Sequence, residues 1–437
     1  MLGYNLRLAL LSLRRNPYLT LLLVAGIALG IGVSTTFVTA MYTFAGHPIP
    51  HKEGTLLYVE IDTWDPQRPF DDDHPERPPN QMTWMDVMAL KKSDIPLHSA
   101  GMYKALLTVH PASKEMRPYR ADTRMTHGDF FDMFDVPFAH GSGWGASADE
   151  GPEPVVVLSD ETNQKLFGGE NSVGRTVRLE ERDFTVVGVM APWRPIPKYY
   201  DPHNGATDEA EKLYIPIRWA EPMEIVSSGN TSGWKQFEGS GFSAFLGSES
   251  VWLQMWVEVK NEQDTERYKA YLDAYATEQK KLGRFQRPIN NRLLSVSQWL
   301  KEEEVVPEEA RAMLIIGLLF LLVCSVNLIG ILLSKFMARA PEVSVRRALG
   351  ASRLRVFLQH LTECEIIGVI GGLAGIGLTF LGVRLVENLF SANFSFKVDL
   401  KMMAVAVALS LTSALIAGLY PAWRICRIQP AAHLKVQ

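Results

Sequence analysis

Four apolar runs, split one against three around a long polar stretch, constrain the fold of this chain more than any other feature. The first run precedes the polar stretch, and the other three follow it with little chain between them. The four runs are 19–44, 313–334, 366–383 and 402–419. Each is about long enough to cross a hydrocarbon core of ~30 Å at a helical rise of ~1.5 Å per residue. The pattern predicts a membrane protein whose one large polar domain lies between its first and second helices.

Basic residues are concentrated in three short segments beside these runs. Segments 1–15, 335–355 and 424–437 together carry 12 Lys and Arg residues against one acidic residue, Glu342. An excess of Lys and Arg in short loops marks the cytoplasmic side of a membrane protein. Four crossings also place both termini on one side, so we expect cytoplasmic termini and a polar domain outside the cytoplasm.

The first run has a second interpretation, a cleaved secretory signal, because Val38, Thr39 and Ala40 have the small side chains of a cleavage site. However, its 26 uncharged residues exceed the ~7–15 residues of a signal's apolar region. We therefore expect a retained membrane anchor.

The polar domain must be held together by burial, because it contains no cysteine. The cysteines of the chain, Cys324, Cys364 and Cys426, all lie in or beside the later apolar runs, which excludes a disulfide framework for the domain. Nine of the ten tryptophans lie in the domain, and we expect them to pack in its core.

Local signals in this domain predict mixed α/β structure. The predicted elements are a capped helix at 83–90, a strand at 154–159 followed by a helix at 160–167, a hairpin of 176–179 with 184–189, a strand at 253–259, and a helix capped by Asp264 that continues to 282. Residues 191–250 show no periodicity, as is typical of a functional loop or an insertion. The predicted fold class is an α+β membrane protein, with four transmembrane helices in a 1+3 layout and a large mixed α/β domain between helices 1 and 2.

No pattern in the chain indicates catalysis or a resident metal. The acidic segment from Asp71 to Glu76 lacks the fixed ligand spacing of a calcium loop, so we interpret it as a solvated loop. His47 and His51 are four residues apart with prolines between them, which argues against a helical metal site. We expect no catalytic residues, no metal ligands and no enzyme activity in this chain.

The apolar runs predict a packed helix bundle that does not power itself. Small residues four apart allow close helix packing in lipid, and the glycines expected at such contacts are Gly26, Gly30, Gly368, Gly371, Gly372 and Gly375. The runs contain almost no charge, which argues against an ion-coupled carrier. The chain also lacks the Gly-Lys dipeptide of a P-loop, so its energy must come from elsewhere.

The segment after the second run carries the most specific motif. Pro341 interrupts the chain, and 342–363 has the pattern of short helical segments around Gly350. The residues expected on one apolar side are Val345, Leu349, Val356 and Leu361. A basic amphipathic helix lying on anionic lipid is the alternative interpretation.

Four segments give the chain a family resemblance. EVSVRRALGAS at 342–352 resembles the cytoplasmic segment of the MacB/FtsX-like (type VII, mechanotransmission) permeases of ABC transporters. Residues 130–141 and 154–190 resemble the family's MacB-like periplasmic core domain, and YPAWRICRIQPAAHL at 420–434 resembles its C-terminal ending. Only 191–250 has no counterpart, and Pro341 stands where the family often has a polar residue.

The resemblance implies partners, and it implies the residues that contact one of them. In this family the segment after the second helix docks on a cytoplasmic ABC ATPase, and the residues expected to couple are Glu342, Arg346, Arg347, Gly350 and Ser352. The expected partners are a dimer of ATPase subunits on separate chains and a second permease, identical or paralogous. A periplasmic adaptor and an outer-membrane channel can join them. ATP and Mg belong to the ATPase; this chain is expected to bind no cofactor and no nucleic acid.

The resemblance also assigns limits and a location in the bacterial inner membrane. The expected parts are an amphipathic cytoplasmic arm at 1–18, helices at 19–44, 311–334, 364–384 and 402–420, a periplasmic core domain at 45–310 with an inserted lobe near 115–245, a coupling segment at 335–363, an outer loop at 385–401 and a tail at 421–437. The expected function is export driven by ATP hydrolysis on the ATPase, which moves the periplasmic domain. The alternatives are an FtsX-like relay that activates an extracytoplasmic hydrolase, and a lipoprotein-extracting permease.

Overall fold

The computed structural model describes residues 15–45, 48–113, 115–236, 238–306, 308–389 and 400–428. The chain forms two compact units, a membrane unit of Met1–Gly46 with Val306–Gln437 and a polar domain of His47–Val305. Parts of three expected segments lie outside the described residues: 1–14 of the arm, 390–399 of the outer loop and 429–437 of the tail.

The described residues contain twelve α-helices and eleven strands in chain order. The helices are α1 (Pro17–Ala45), α2 (Trp84–Leu90), α3 (Phe130–Met133), α4 (Ala146–Glu150), α5 (Asp160–Phe167), α6 (Phe242–Leu246), α7 (Glu262–Lys281), α8 (Val296–Glu302), α9 (Glu308–Met337), α10 (Ala340–Ala348), α11 (Arg353–Leu389) and α12 (Leu400–Cys426). The strands are β1 (Leu56–Glu60), β2 (Met82–Thr83), β3 (His98–His110), β4 (Tyr119–Thr126), β5 (Phe138–Gly141), β6 (Val155–Leu158), β7 (Thr176–Leu179), β8 (Arg182–Met190), β9 (Leu213–Pro216), β10 (Val251–Glu258) and β11 (Arg292–Ser295).

Four helices, α1, α9, α11 and α12, are long and apolar enough to cross a membrane. The most extensive contacts join α1 to α9 and α11, and α12 to α11 and α9. Helix α11 begins at Arg353, eleven residues before the expected start of the third membrane helix, because residues 353–363 contain no Gly or Pro. Helix α12 continues past Pro421 to Cys426. The expected layout of one helix before the polar domain and three after it is confirmed.

The polar domain is built on one mixed sheet. The main strand order is β11-β1-β10-β3-β4-β9-β6-β8-β5; β2 pairs with β10, and β7 pairs with β3 and β8. Most neighbours are antiparallel, whereas β4 with β9 and β6 with β8 are parallel. Residues 115–245, where an inserted lobe was expected, contribute β4 to β9 and therefore continue the same sheet.

Both faces of the sheet are covered. Successive side chains of a strand point to opposite faces. In β10, Leu253 and Met255 therefore enter one apolar core, and Trp256 enters the other. Because both faces are covered, all residues of β10 except Glu258 are buried. Three tryptophans, Trp252, Trp256 and Trp299, are among the largest fully buried side chains.

Most local elements expected in the polar domain are confirmed. Thr83 caps α2 by accepting from the Asp86 amide, and Ser159 caps α5 by accepting from the Thr162 amide. The strand at β6 and the hairpin of β7 with β8 also form. One expected cap is wrong: the Asn261 side chain caps α7 by accepting from the Asp264 amide, because a cap side chain reaches the amide two or three positions later.

Residues 191–250 are more ordered than their aperiodic sequence predicts. They contain β9, which pairs with β4 and β6, and the short helix α6. Strand β9 has only four residues, all of them buried. A strand that short and buried on both faces has no alternation for a sequence pattern to reveal.

Candidate functional site

Helix α10 is a short helix between two membrane helices, α9 and α11, and a short connection joins it to each. Pro341 lies in its first turn, where the missing N–H of proline is tolerated. After the helix, Gly350 adopts a φ of +98°, which favours glycine because it has no Cβ. The Ser352 hydroxyl then accepts from the Arg355 amide at 3.3 Å, at the start of α11. The expected turn at Gly350 is confirmed, whereas the break after α9 lies at 338–339, before Pro341, which lies in the first turn of the next helix.

One side of α10 is buried and the other is exposed. Ala340, Val343 and Ser344 are buried, as positions three and four apart share a helix face. Val345 and Leu349 are 46% and 83% exposed, whereas Val356 on α11 is buried. The expectation that Val345, Leu349 and Val356 share one apolar side is therefore wrong. At ~100° per residue, Val345 lies about 200° around α10 from the buried Val343. Val345 therefore faces away from the buried side of the helix.

Glu342 and Arg346 form a partly exposed ion pair on α10. Arg346 donates from Nη2 to Glu342 Oε1 at 2.8 Å, and from Nη1 to Gln359 Oε1 on α11 at 3.3 Å. The Arg15 guanidinium lies 3.9 Å from the second Glu342 oxygen. These two motif residues thus belong to the accessible part of the segment.

Arg347 has a different environment from its neighbour. It donates from Nη1 to the backbone oxygens of Cys426 at 2.9 Å and Ile428 at 2.5 Å. The last carbonyls of a helix lack intrahelical partners and carry partial negative charge. Arg347 therefore fastens α10 to the C-terminal end of α12.

A buried ion cluster lies beside the junction of α9 and α10. Lys335 Nζ is 2.6 Å from Glu363 Oε1, and both side chains are at most 2% exposed. Arg339 Nη1 lies 3.4 Å from the second Glu363 oxygen, and the Phe336 and His360 rings meet edge to face at 4.6 Å. The sequence did not predict this cluster; its signals were Lys335, directly after the run 313–334, and Glu363, three residues before the run 366–383.

Five of the six expected packing glycines lie at close helix contacts. A Cβ at Gly371 would lie 2.7 Å from Ile27 Cβ, and one at Gly375 would lie 2.9 Å from Ile31 Cβ, both on α1. Gly30, Gly368 and Gly372 meet neighbours at 3.2 Å or less, whereas Gly26 would come no nearer than 3.9 Å to any. Sequence analysis missed Gly32, where a Cβ would lie 2.7 Å from Leu378 Cβ.

The polar domain holds a buried charge network that the sequence did not reveal. Arg124 on β4 donates to Asp201 at 2.6 Å and to Glu211, and Tyr200 donates to Glu211 at 2.8 Å. Lys198 lies 3.5 Å from Glu211. Burial alone would raise the pKa of Glu211, but Arg124 and Lys198 outweigh it and hold that pKa at about 2. The network anchors the segment after β8 to the sheet.

Comparison with known proteins assigns the class of this architecture. The model of the MacB-like periplasmic core domain matches residues 20–275, and the model of the FtsX-like permease C-terminal region matches residues 314–430. Four apolar helices with this domain between the first two define a multi-pass membrane protein. The chain belongs to the MacB/FtsX-like family of ABC transporter permeases.

Its relatives include exporters. The pyoverdine export ATP-binding/permease protein PvdT of Pseudomonas aeruginosa is 23% identical over 333 residues, covering 73% of this chain and 43% of that protein. The macrolide export ATP-binding/permease protein MacB of Chromobacterium violaceum is 24% identical over 303 residues, covering 69% and 41%. The chain thus spans somewhat less than half the length of these two relatives.

Two solved structures also match part of the chain. The periplasmic region of MacB from Actinobacillus actinomycetemcomitans superimposes with a TM-score of 0.37 at 13% identity, covering 60% of this chain and 97% of that one. The extracellular domain of the ABC-type transporter YknZ gives 0.34 at 11% identity, covering 55% and 99%.

Proposed function

We propose that this chain is the permease component of an ABC exporter, and that ATP hydrolysis by a cytoplasmic ABC ATPase moves its polar domain. The observation that carries the proposal is the exposed surface of α10. Leu349 is 83% exposed and Val345 is 46% exposed, and the Glu342–Arg346 pair adjoins them. Both apolar residues lie outside the membrane-spanning segments. Exposed apolar side chains rimmed by charge are typical of a protein-binding surface.

Chain connectivity supports a mechanical role for this surface. Helix α9 follows the polar domain, and α10 follows α9, so the two lie at opposite ends of one membrane helix. A load applied by an ATPase at α10 would reach the polar domain along α9. We further propose that α10 and both termini face the cytoplasm, with the polar domain in the periplasm, and that two permeases act together.

Export is favoured over a signalling role by the relatives, whose printed functions are pyoverdine export and macrolide export. Permeases with different cargoes would differ in their polar domains, and the proposed role of α10 would be the same in each.

The proposal is tested by disrupting the exposed surface of α10 and measuring ATPase binding. Leu349→Asp places a charge on the proposed contact, and co-purification of the cognate ATPase with the full chain should fall about 10-fold or more, a loss of at least ~1.4 kcal/mol. The matched control is Leu282→Asp, because Leu282 is 75% exposed on the polar domain; co-purification should not change. Equal ATPase recovery with Leu349→Asp and with the wild-type chain would refute the proposed contact.

A further inference from the structure

The two motif arginines of α10 have different partners. Arg346 bonds to Glu342 on its own helix and to Gln359 on α11. Arg347 reaches instead the backbone oxygens of Cys426 and Ile428, the first of which is the last residue of α12. Adjacent residues on a helix point about 100° apart, so one arginine lies along the outside of the unit and the other crosses to α12.

Arg347 serves α12 as a side-chain cap. A single nitrogen, Nη1, donates to two carbonyls at the end of the helix. Arginine near a helix C-terminus satisfies carbonyls that have no intrahelical donor and complements the helix dipole. Here the cap comes from a different helix, 79 residues earlier in the chain. The contact therefore stabilises the end of α12 and fixes the position of α10 together.

Glu363 joins the two sides of the break between α9 and α10. Helix α9 ends at Met337 and α10 begins at Ala340. One Glu363 oxygen meets Lys335 before the break, and the other meets Arg339 within it. Because Glu363 belongs to α11, its carboxylate holds α9, the break and α11 in one arrangement. Without this link, the break and the turn at Gly350 would each be a point of backbone bending.

We propose that Arg347 and the Lys335–Glu363 pair are positioning residues that make α10 and the adjoining ends of α9, α11 and α12 one rigid unit. A load on α10 then moves three membrane helices together and is not absorbed at the break or the turn. This inference rests on the proposed function for the origin of the load. The rigid unit itself is a property of the chain without its ATPase.

The first experiment measures amide hydrogen exchange of the full chain in detergent, without ATPase. Arg347→Ala should accelerate exchange in both 340–349 and 422–428, because the contact holds both segments. Arg346→Ala is the matched control on the same helix and should leave 422–428 unchanged. Arg347→Lys retains a donor and should restore most of the protection. Unchanged exchange at 422–428 in Arg347→Ala would overturn the inference for Arg347.

Charge exchange tests the Glu363 link in the same assay. Glu363→Lys alone places three cations together and should expose 335–343 to exchange. Adding Lys335→Glu restores an opposite pair and should recover protection in that segment. Glu363→Gln keeps the size of the side chain and removes its charge, which covers the case in which Glu363→Lys fails to fold. Full protection in Glu363→Gln would show that the pair has no positioning role.

The second experiment separates positioning from ATPase contact. The complex of full chain and ATPase is reconstituted in lipid nanodiscs with a spin label at Leu282→Cys in the polar domain. Arg347→Ala should bind the ATPase like the wild-type chain. However, the ATP-dependent change in the distance between the spin labels of two permeases should fall about 5-fold or more, within the range of allosteric coupling. Loss of ATPase binding, as expected for Leu349→Asp, would instead place Arg347 in the contact surface. If the wild-type chain binds no ATPase, the proposed function fails, and the exchange measurements still decide the inference.

Discussion

At the scale of single residues, burial decides what a charged side chain does in the polar domain. Glu60 on β1 is 4% exposed, and its nearest cation, Arg292, lies 3.5 Å away. Burial raises the pKa of Glu60 from 4.5 to about 8, and Arg292 offsets only part of that rise. Because the folded-state pKa lies above the unfolded value, this carboxyl favours the folded domain fully below about pH 4.5. That contribution is lost as the pH rises through about 8.

Glu60→Gln should therefore change the pH dependence of stability. At pH 8 the variant should have a free energy of unfolding at least about 1 kcal/mol above that of the wild-type chain, since one pKa unit corresponds to ~1.4 kcal/mol. At pH 4, below the unfolded-state pKa, the two should agree within about 0.5 kcal/mol. Tryptophan fluorescence of the full chain in denaturant measures this, because nine of the ten tryptophans lie in the polar domain. Glu181→Gln, at an exposed position of the same domain, is the control substitution, and parallel pH profiles for Glu60→Gln and the wild-type chain would refute the prediction.

Glycine contacts between α1 and α11 give a second residue-scale prediction. Gly371→Ala would place its Cβ 2.7 Å from Ile27 Cβ, and overpacking of this kind costs about 1–3 kcal/mol. We expect a lower thermal unfolding midpoint in detergent. Gly377→Ala on the same helix has open space around its Cβ and should leave the midpoint unchanged or raise it. An unfolding midpoint for Gly371→Ala no lower than that for Gly377→Ala would show that α1 and α11 do not need the close contact at Gly371.

At the scale of elements, local chemistry was predictable and pairing between distant segments was not. The cap at Thr83 and the turn at Gly350 follow from residue types a few positions apart, and both form. Strand β9 gave no signal because its stability comes from pairing with β4 and β6. Arg124 likewise reads as an ordinary polar residue of β4 until Asp201 and Glu211 are brought to it by the fold.

The segment 198–211 should depend on Arg124 for its order. Arg124→Met removes the guanidinium that both buried carboxylates, Asp201 and Glu211, share, and breaking a buried pair on one side costs about 3–5 kcal/mol. We expect faster amide exchange across 198–211 in the full chain. Arg175→Met breaks an exposed pair with Glu170, worth about 0–1 kcal/mol, and should leave that segment protected. Equal protection in the two variants would mean that the network does not anchor the segment.

At the scale of the whole molecule, the order of apolar runs predicted the architecture, and the charge pattern predicted its orientation. The arrangement of one helix, a mixed α/β domain and three helices is confirmed, and the family models confirm the resemblance. The roles of the candidate coupling residues stay predictions. The sequence did not predict the contacts of Arg347 with Cys426 and of Lys335 with Glu363. Periodicity describes the faces of one helix, whereas these contacts join different helices.

The orientation gives a whole-molecule prediction with a matched pair of sites. Leu282→Cys and Leu349→Cys place thiols at residues that are 75% and 83% exposed, with the three native cysteines replaced by alanine. In cells with a permeabilised outer membrane, an impermeant maleimide should label position 282 and leave position 349 unlabelled until the inner membrane is opened. Labelling of position 349 in intact spheroplasts would reverse the proposed orientation.

The central claim is that ATP hydrolysis on a partner ATPase moves the polar domain. The most direct test is the distance between spin labels at Leu282→Cys in two permeases, measured with the ATPase complex in lipid nanodiscs. We expect a shift in the distance distribution when ATP is added, and a return after hydrolysis that a hydrolysis-deficient ATPase prevents. An unchanged distribution in a complex that binds and hydrolyses ATP would contradict the claim.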